Sequence, residues 1–290
     1  MTLEDYIKIL LKEKFETVRP NYVYLNSVGN YSYYLADLND NLYEPMSDHV
    51  LRQYGDGDGN EITSKKMNAI YSSSALAYNI FHKQFCTIKK NNILSEGTYQ
   101  VTFEKKFPVL SKPANIDVVL DNCNSQEFIA IEMKMLEWLR DTSKLSDSYL
   151  NENKYLDLES GKTFSDIAQK LKSHSLHYDA YQMFKHSVGL YNACKKGLIV
   201  NKERITLINC VWTVVNPDKM IEPHKSKYRM SEYKLFNEFN QFRNLMSPVI
   251  DLFKSLAIKF DIYIYTVNEL INIIDKTEDE INYLERYLIK

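Results

Sequence analysis

The stretch from Pro113 to Leu136, PANIDVVLDNCNSQEFIAIEMKML, leaves the chain the fewest choices. Ile116, Val118 and Leu120 alternate with Asn115, Asp117 and Val119, which predicts a β-strand. Phe128 to Met135 predicts a second strand, with Ile129, Ile131, Met133 and Met135 on one face. That parity puts Glu132 and Lys134 together on the other face. Asn122, Asn124, Ser125 and Gln126 supply a turn between the two. A hairpin centred near Asn124 and Ser125 sets Asp117 across from Glu132. A slip of one residue would turn Asp117 to the opposite face, so this register is an assumption. Two carboxylates and a lysine at one point on a sheet suit a divalent cation and a water molecule.

The flanking segments read as mixed α and β. Leu3 to Val18 predicts an amphipathic helix with Tyr6, Ile7, Leu10 and Leu11 on one face, ended by Pro20. Tyr22 to Leu42 is rich in tyrosine and turn residues, punctuated at Asn30-Tyr-Ser. Tyr54-Gly-Asp-Gly-Asp-Gly-Asn-Glu61 reads as a loop. It lacks the Gly-Lys-Ser/Thr of a phosphate-binding loop, and Glu61 and Met67 stand where a calcium hand needs Gly and Glu. Ser64 to Phe81 predicts a helix, and Thr98 to Val109 a strand ahead of the hairpin. A short helix is expected at Leu136 to Leu139, then a polar insertion over residues 140–173. Helices are expected at His174 to Lys195 and Ser231 to Met246, with Pro248 before another at Val249 to Ala257. Arg204 to Val215 is apolar on both faces, the mark of a covered strand. Phe260 to Val267 is another strand, followed by closing helices from Glu269 to Ile289.

A Glu-x-Lys triplet is common enough to mean little alone, and this chain has further copies at Glu104/Lys106, Glu152/Lys154 and Glu232/Lys234. The copy at Glu152 falls in the polar insertion. The copy at Glu232 opens a helix, where residues two apart diverge. The copy at Glu104 lies on a strand with no Asp strand before it. Glu132/Lys134 alone follows an Asp-bearing strand across a short turn, with apolar residues on its back face. Burying Glu132 and Lys134 costs free energy unless they pair or bind an ion. The plain alternative is a structural pair, Glu132–Lys134 or Asp117–Lys134, at a sheet edge.

Asp117 followed by Glu132-Met-Lys134 on a hairpin between two helices resembles the PD-(D/E)XK nuclease superfamily, the restriction-endonuclease-like fold. The segment from Gly59-Asn-Glu-Ile to Asn79-Ile-Phe81 resembles bacterial members of that superfamily. Pro113 stands four residues before Asp117 rather than beside it. The resemblance implies an α/β fold, a central mixed sheet flanked by helices, with core order α-β-β-β-α-β. It covers about half the chain, and residues 1–290 are expected to form one nuclease domain with a core near 60–215.

The resemblance further implies that Asp117, Glu132 and the carbonyl of Met133 hold Mg²⁺, with Mn²⁺ able to substitute. Lys134 would orient or deprotonate the attacking water and offset phosphate charge. Supporting positions are Glu61, just before the first core helix, Asn79 on it, and Gln182 with Lys185 on the helix after the hairpin. Each has a plainer reading: a helix-start acid for Glu61, a packing contact for Asn79, a solvated stripe for Gln182 and Lys185. His174 and His177 lack a third ligand and read as surface residues. The expected substrate is DNA, with a homodimer for double-strand cutting and a role in restriction or defence. A protein that kept the fold without catalysis, as a nucleic-acid-binding or scaffold module, is the alternative.

Composition sets outer bounds. The net charge of −2 excludes wholesale coating of nucleic acid but not a local basic groove. Short clusters at Lys89-Lys90, Lys105-Lys106, Lys195-Lys196 and from Lys219 to Arg229 are candidates for one. Cys86, Cys123, Cys194 and Cys210 show no C-x-x-C spacing, so neither a zinc site nor a disulfide framework is expected. No apolar run is long enough to span a bilayer, and a cytoplasmic protein is expected.

Overall fold

A computed structural model gives the fold and describes residues 1–20, 22–25, 32–57, 60–110, 112–122, 126–140, 144–173 and 178–290. The expected punctuation at Asn30, the tip of the hairpin at Asn124 and Ser125, and Cys123, His174 and His177 lie outside those residues.

Helix α1 (Leu3–Val18) has the predicted bounds. Thr2 and Asp5 cap it reciprocally, and Tyr6, Ile7, Leu11 and Phe15 form its buried stripe. Helix α2 (Asp48–Asp56) is hidden in the sequence because only Val50 and Tyr54 are buried and Gly55 and Asp56 read as loop. Helix α3 (Ser73–Phe81) starts nine residues later than the spacing from Ser64 predicts. The reason is a pairing with a segment distant in sequence. Ala69 bridges to Tyr34, and the Asn68 carbonyl accepts from Leu35 N at 2.9 Å, which holds that backbone out of a helix.

A meander follows: β1 (Phe85–Ile88), β2 (Gly97–Phe107), β3 (Ala114–Asp121) and β4 (Glu127–Lys134). Residues 140–173 contain a helix that their polar pattern conceals, α4 (Leu158–Lys172), with Phe164, Ile167, Ala168 and Leu171 buried. Then come α5 (Ala180–Lys195), β5 (Arg204–Val211), α6 (His224–Leu245), α7 (Ser247–Ser255), β6 (Lys259–Thr266), α8 (Val267–Ile273) and α9 (Glu278–Leu284). The strands form one mixed sheet in the order β1-β2-β3-β4-β5-β6. Its first three pairings are antiparallel and its last two parallel. The chain is therefore α/β, with helices flanking the sheet. Every residue of β5 after Arg204 is buried, as expected for a strand paired on both edges and covered on both faces.

The two ends of the chain meet at a buried cation. Arg286, 1% exposed, donates to Asn41 Oδ1, to the Asn41 carbonyl at 3.3 Å and to Tyr283 OH at 2.7 Å. Its guanidinium lies 4.4 Å from the Phe15 ring centre and 4.6 Å from that of Tyr287. Asn41 also donates to the carbonyls of Met67 and Ala69, at 2.7 and 2.8 Å. One side-chain network thus fixes α1, the segment before α3 and the C-terminal turn. Arg286→Ala leaves these acceptors without their donor in a closed interior. It should lower unfolding free energy by about 3 kcal/mol in urea titrations, while Arg243→Ala, on an exposed face, changes it by less than about 0.5 kcal/mol.

Candidate active site

The sheet opens at one rung. Between β2 and β3 the ladder runs through Phe103↔Val118, resumes at Lys105↔Ile116, and leaves out Glu104 and Asp117. Between β3 and β4 it ends at Val118↔Ile131, so the next rung of the same register places Asp117 across from Glu132. Asp117 Oδ2 accepts from Met133 N at 2.6 Å, taking an N–H that a continued ladder would have given to β3 backbone. A strand residue's N–H and C=O point to the same side, so the Met133 carbonyl faces the same gap. The next residues on β4 turn the other way: the Lys134 carbonyl accepts from Trp212 N at 2.7 Å.

Glu104 causes the break on the other side. Its φ of +50° is left-handed, a region costly for any residue with a Cβ. The consequence is visible in its neighbours. Phe103 stacks on Tyr54 of α2 and packs against Tyr78 of α3. Phe107 meets Phe128 edge-on and lies against Gly189 of α5. Two odd-numbered residues of one strand thus face different helices, because the turn at Glu104 reverses the alternation between them. Gln53 covers the exposed backbone, its Oε1 accepting from Phe103 N at 2.8 Å. Gly57, just past α2, fits beside Glu104 because a Cβ there would come within 3.3 Å of the Glu104 side chain.

Glu132 is held from α5. Its Oε1 accepts from Gln182 Nε2 at 2.6 Å and pairs with Lys134 Nζ at 2.9 Å, and its Oε2 lies 2.9 Å from His186 Nε2. Lys134 also donates to Gln182 Oε1 at 2.6 Å and stands 3.6 Å from Asp179, the N-cap of α5. Burial works against the Glu132 charge, but Lys134 and His186 outweigh it and hold its pKa at about 2. Burial also opposes the Lys134 charge, and Glu132 and Asp179 overcome that, so Lys134 stays firmly protonated. For the two other acids the help is weaker: Lys134 and the Met133 N–H favour the Asp117 charge and Lys106 that of Glu104, but they are outweighed. Burial pushes Asp117 well above the usual carboxylate range, and the charges of Glu132 and Glu104 push further. Glu104 rises to about 8 through burial first, then Glu132 and Glu61.

The structure thus brings together Asp117, Glu132, Met133, Lys134 and Gln182. Glu61 is near enough to act on Glu104 while pairing with Lys66 at 3.2 Å. Asn79 is engaged elsewhere: it donates to the Asn41 carbonyl at 2.9 Å and Tyr287 OH at 2.8 Å, and accepts from Tyr43 N at 2.8 Å. Lys185 lines a cavity beside Gln182 rather than the carboxylates. Sequence reasoning missed Glu104 and His186. Glu104 was passed over for want of an Asp strand before it, although Asp117 follows on the next strand. His186 lies one turn beyond Gln182, a spacing visible in the sequence without any sign that both reach Glu132.

Among the described residues no group of three or more His, Cys, Asp or Glu side chains is placed to hold a metal ion by itself. The donor set is open and made of oxygen, and burial and mutual repulsion outweigh the lysines near two of its three acids. That chemistry fits a hard divalent cation that keeps part of its water. Among the described residues no helix is long and apolar enough to cross a membrane.

The family model described as "Restriction Endonuclease associating with ARP" matches residues 9–287. No curated protein and no solved structure matches the chain.

The two acids with raised pKa values make stability depend on pH. A carboxyl whose folded pKa is raised binds more protons folded than unfolded, so stability falls as pH rises between the two values. For Glu104 the window runs from the usual carboxylate range up to about 8. In EDTA the wild-type melting temperature should fall across it, and Glu104→Gln should flatten the fall. Identical pH profiles for both proteins would contradict the assignment.

Proposed function

This chain belongs to the family Restriction Endonuclease associating with ARP, and from that membership we propose that it is a Mg²⁺-dependent endonuclease that hydrolyses phosphodiester bonds in DNA, in restriction or defence. The observation that carries the reading is the rung of acids at Glu104, Asp117 and Glu132, beside a lysine held charged. The reading treats residues 1–290 as one nuclease domain of the PD-(D/E)XK type, with its core near 60–215. Asp117, Glu132 and the Met133 carbonyl would hold the cation, and Mn²⁺ would substitute. Bound there, a divalent cation lowers the pKa of its water and stabilises charge on the phosphate.

The chain's own groups divide the remaining work. Lys134, protonated and fixed by Gln182 and Glu132, is a cation for a phosphate oxygen rather than a base in this arrangement. Gln182 and His186 fix the Glu132 carboxylate from its two oxygens. Glu104 adds a carboxyl beside Asp117 that loses its proton near neutral pH. Water attack at phosphorus with loss of the 3′ oxygen leaves a 5′-phosphate and a 3′-hydroxyl.

One observation favours the non-catalytic alternative: both Glu132 oxygens already have partners within the chain. A structural ion pair needs no more than that. It leaves unexplained why two further acids are gathered beside the pair, where the charges of Lys134 and Lys106 do not offset the burial that raises both pKa values. Purified wild-type protein with plasmid DNA and Mg²⁺ should nick it. Asp117→Asn, Glu132→Ala and Lys134→Ala should each slow nicking by about 10²-fold or more. Equal nicking by all four proteins would mean a contaminant. No cleavage by wild type with Mg²⁺ or Mn²⁺ would favour the binding module.

A further inference from the structure

Gln182 belongs to two places at once. Its amide joins Glu132 to Lys134, and it also lines a cavity of about 420 Å³ on the other side. Lys112, between β2 and β3, forms part of that lining. Lys144, Ser146 and Ser148, from the segment ahead of α4, form another part, and Lys185 stands almost one turn beyond Gln182 on α5. Three lysines from three separate segments therefore line one opening.

None of the three lysines has a carboxylate or hydrogen-bond partner among the described residues. This sets them apart from the basic stretch that stands out in the sequence. There Lys225 pairs with Glu222 at 3.5 Å and Arg229 with Asp218 at 2.6 Å. Like charges around one cavity repel one another, and an anion with several charges relieves that repulsion. The chain's net charge of −2 gives nucleic acid no general attraction, so a local basic site is what a strand would need. The hydroxyls of Ser146 and Ser148, 3.0 Å apart, add neutral donors suited to phosphate oxygens.

We propose that this lysine-walled cavity grips the DNA phosphates next to the one that is cut, and guides the strand past Gln182 to the carboxylate rung. The proposal rests on the nuclease reading above. It assigns Lys185 to holding substrate rather than to the chemistry.

The test measures binding of a labelled DNA duplex by the full chain in EDTA, as a function of salt. Lys112→Ala, Lys144→Ala and Lys185→Ala combined should weaken binding at least tenfold. The same variant should reduce the slope of log K against log [salt] by about 2 to 3. Its melting temperature should match wild type, since Lys112 and Lys144 are exposed and Lys185 has no carboxylate or hydrogen-bond partner among the described residues. Lys225→Ala, Lys227→Ala and Arg229→Ala combined should change the slope by less than about 1. Should wild type cut DNA while the cavity variant keeps its slope and affinity, the cavity proposal fails and the nuclease reading stands. Unchanged binding with slower cutting would also overturn it, because the lysines would then serve the chemistry. Wild type that neither binds nor cuts DNA would sink both, as would a lysine-dependent slope seen with RNA alone.

Discussion

The contact between the Asp117 carboxylate and the Met133 amide determines the rest of this site. A sheet closes its own ladders wherever it can, since an unpaired backbone group in the interior is costly. Here a side chain takes the place of backbone, so β3 and β4 end their pairing one rung early without leaving the amide unsatisfied. Glu104 does the same to β2 by a strained conformation. The result is a sheet whose middle strand has a free edge on both sides at one level. Hydrogen-bonding capacity normally used up in ladders is left facing a common space.

The three acids around that space are not equivalent. Glu132 is matched by Lys134, Gln182 and His186, and is the fixed charge of the group. Asp117 feels Lys134 and Glu104 feels Lys106, but burial and the neighbouring acids outweigh both lysines and keep the two carboxyls inclined to hold a proton. Such a difference between neighbouring carboxyls is the usual mark of a site built to receive a charge. The fold meets the cost of this arrangement at a distance. The Arg286 network ties both ends of the chain together, and α5 packs so closely on the sheet that Gly189 touches Phe107.

The hairpin was legible because alternation sets Glu132 and Lys134 on one face of β4, and the register assumed from a turn centred near Asn124 and Ser125 agrees with the pairing of Val118 with Ile131. Most of the helices were legible for the same reason. Helix α1 matched residue for residue, while α2 and α4 were hidden, each with a buried stripe interrupted by Gly, Ser or Asp. The start of α3 was misread because a bridge to Tyr34, remote in sequence, overrides local helical preference there. Glu104 was misread on another ground. Nothing local marks a left-handed Glu within a strand of good β-formers, and its meaning appears only once Asp117 is placed opposite. His186 and Gln182 needed the docking of a helix about fifty residues away from Glu132.

That separation bears on how the molecule assembles. Strands β2 to β4 are neighbours in sequence and close through short connections, so the acids of the open rung meet early. Apart from Lys134, the groups that steady Glu132 arrive on α5, at sequence separations of 50 and 54. A chain emerging from the ribosome amino end first therefore displays its carboxylates before it owns the helix that tames them.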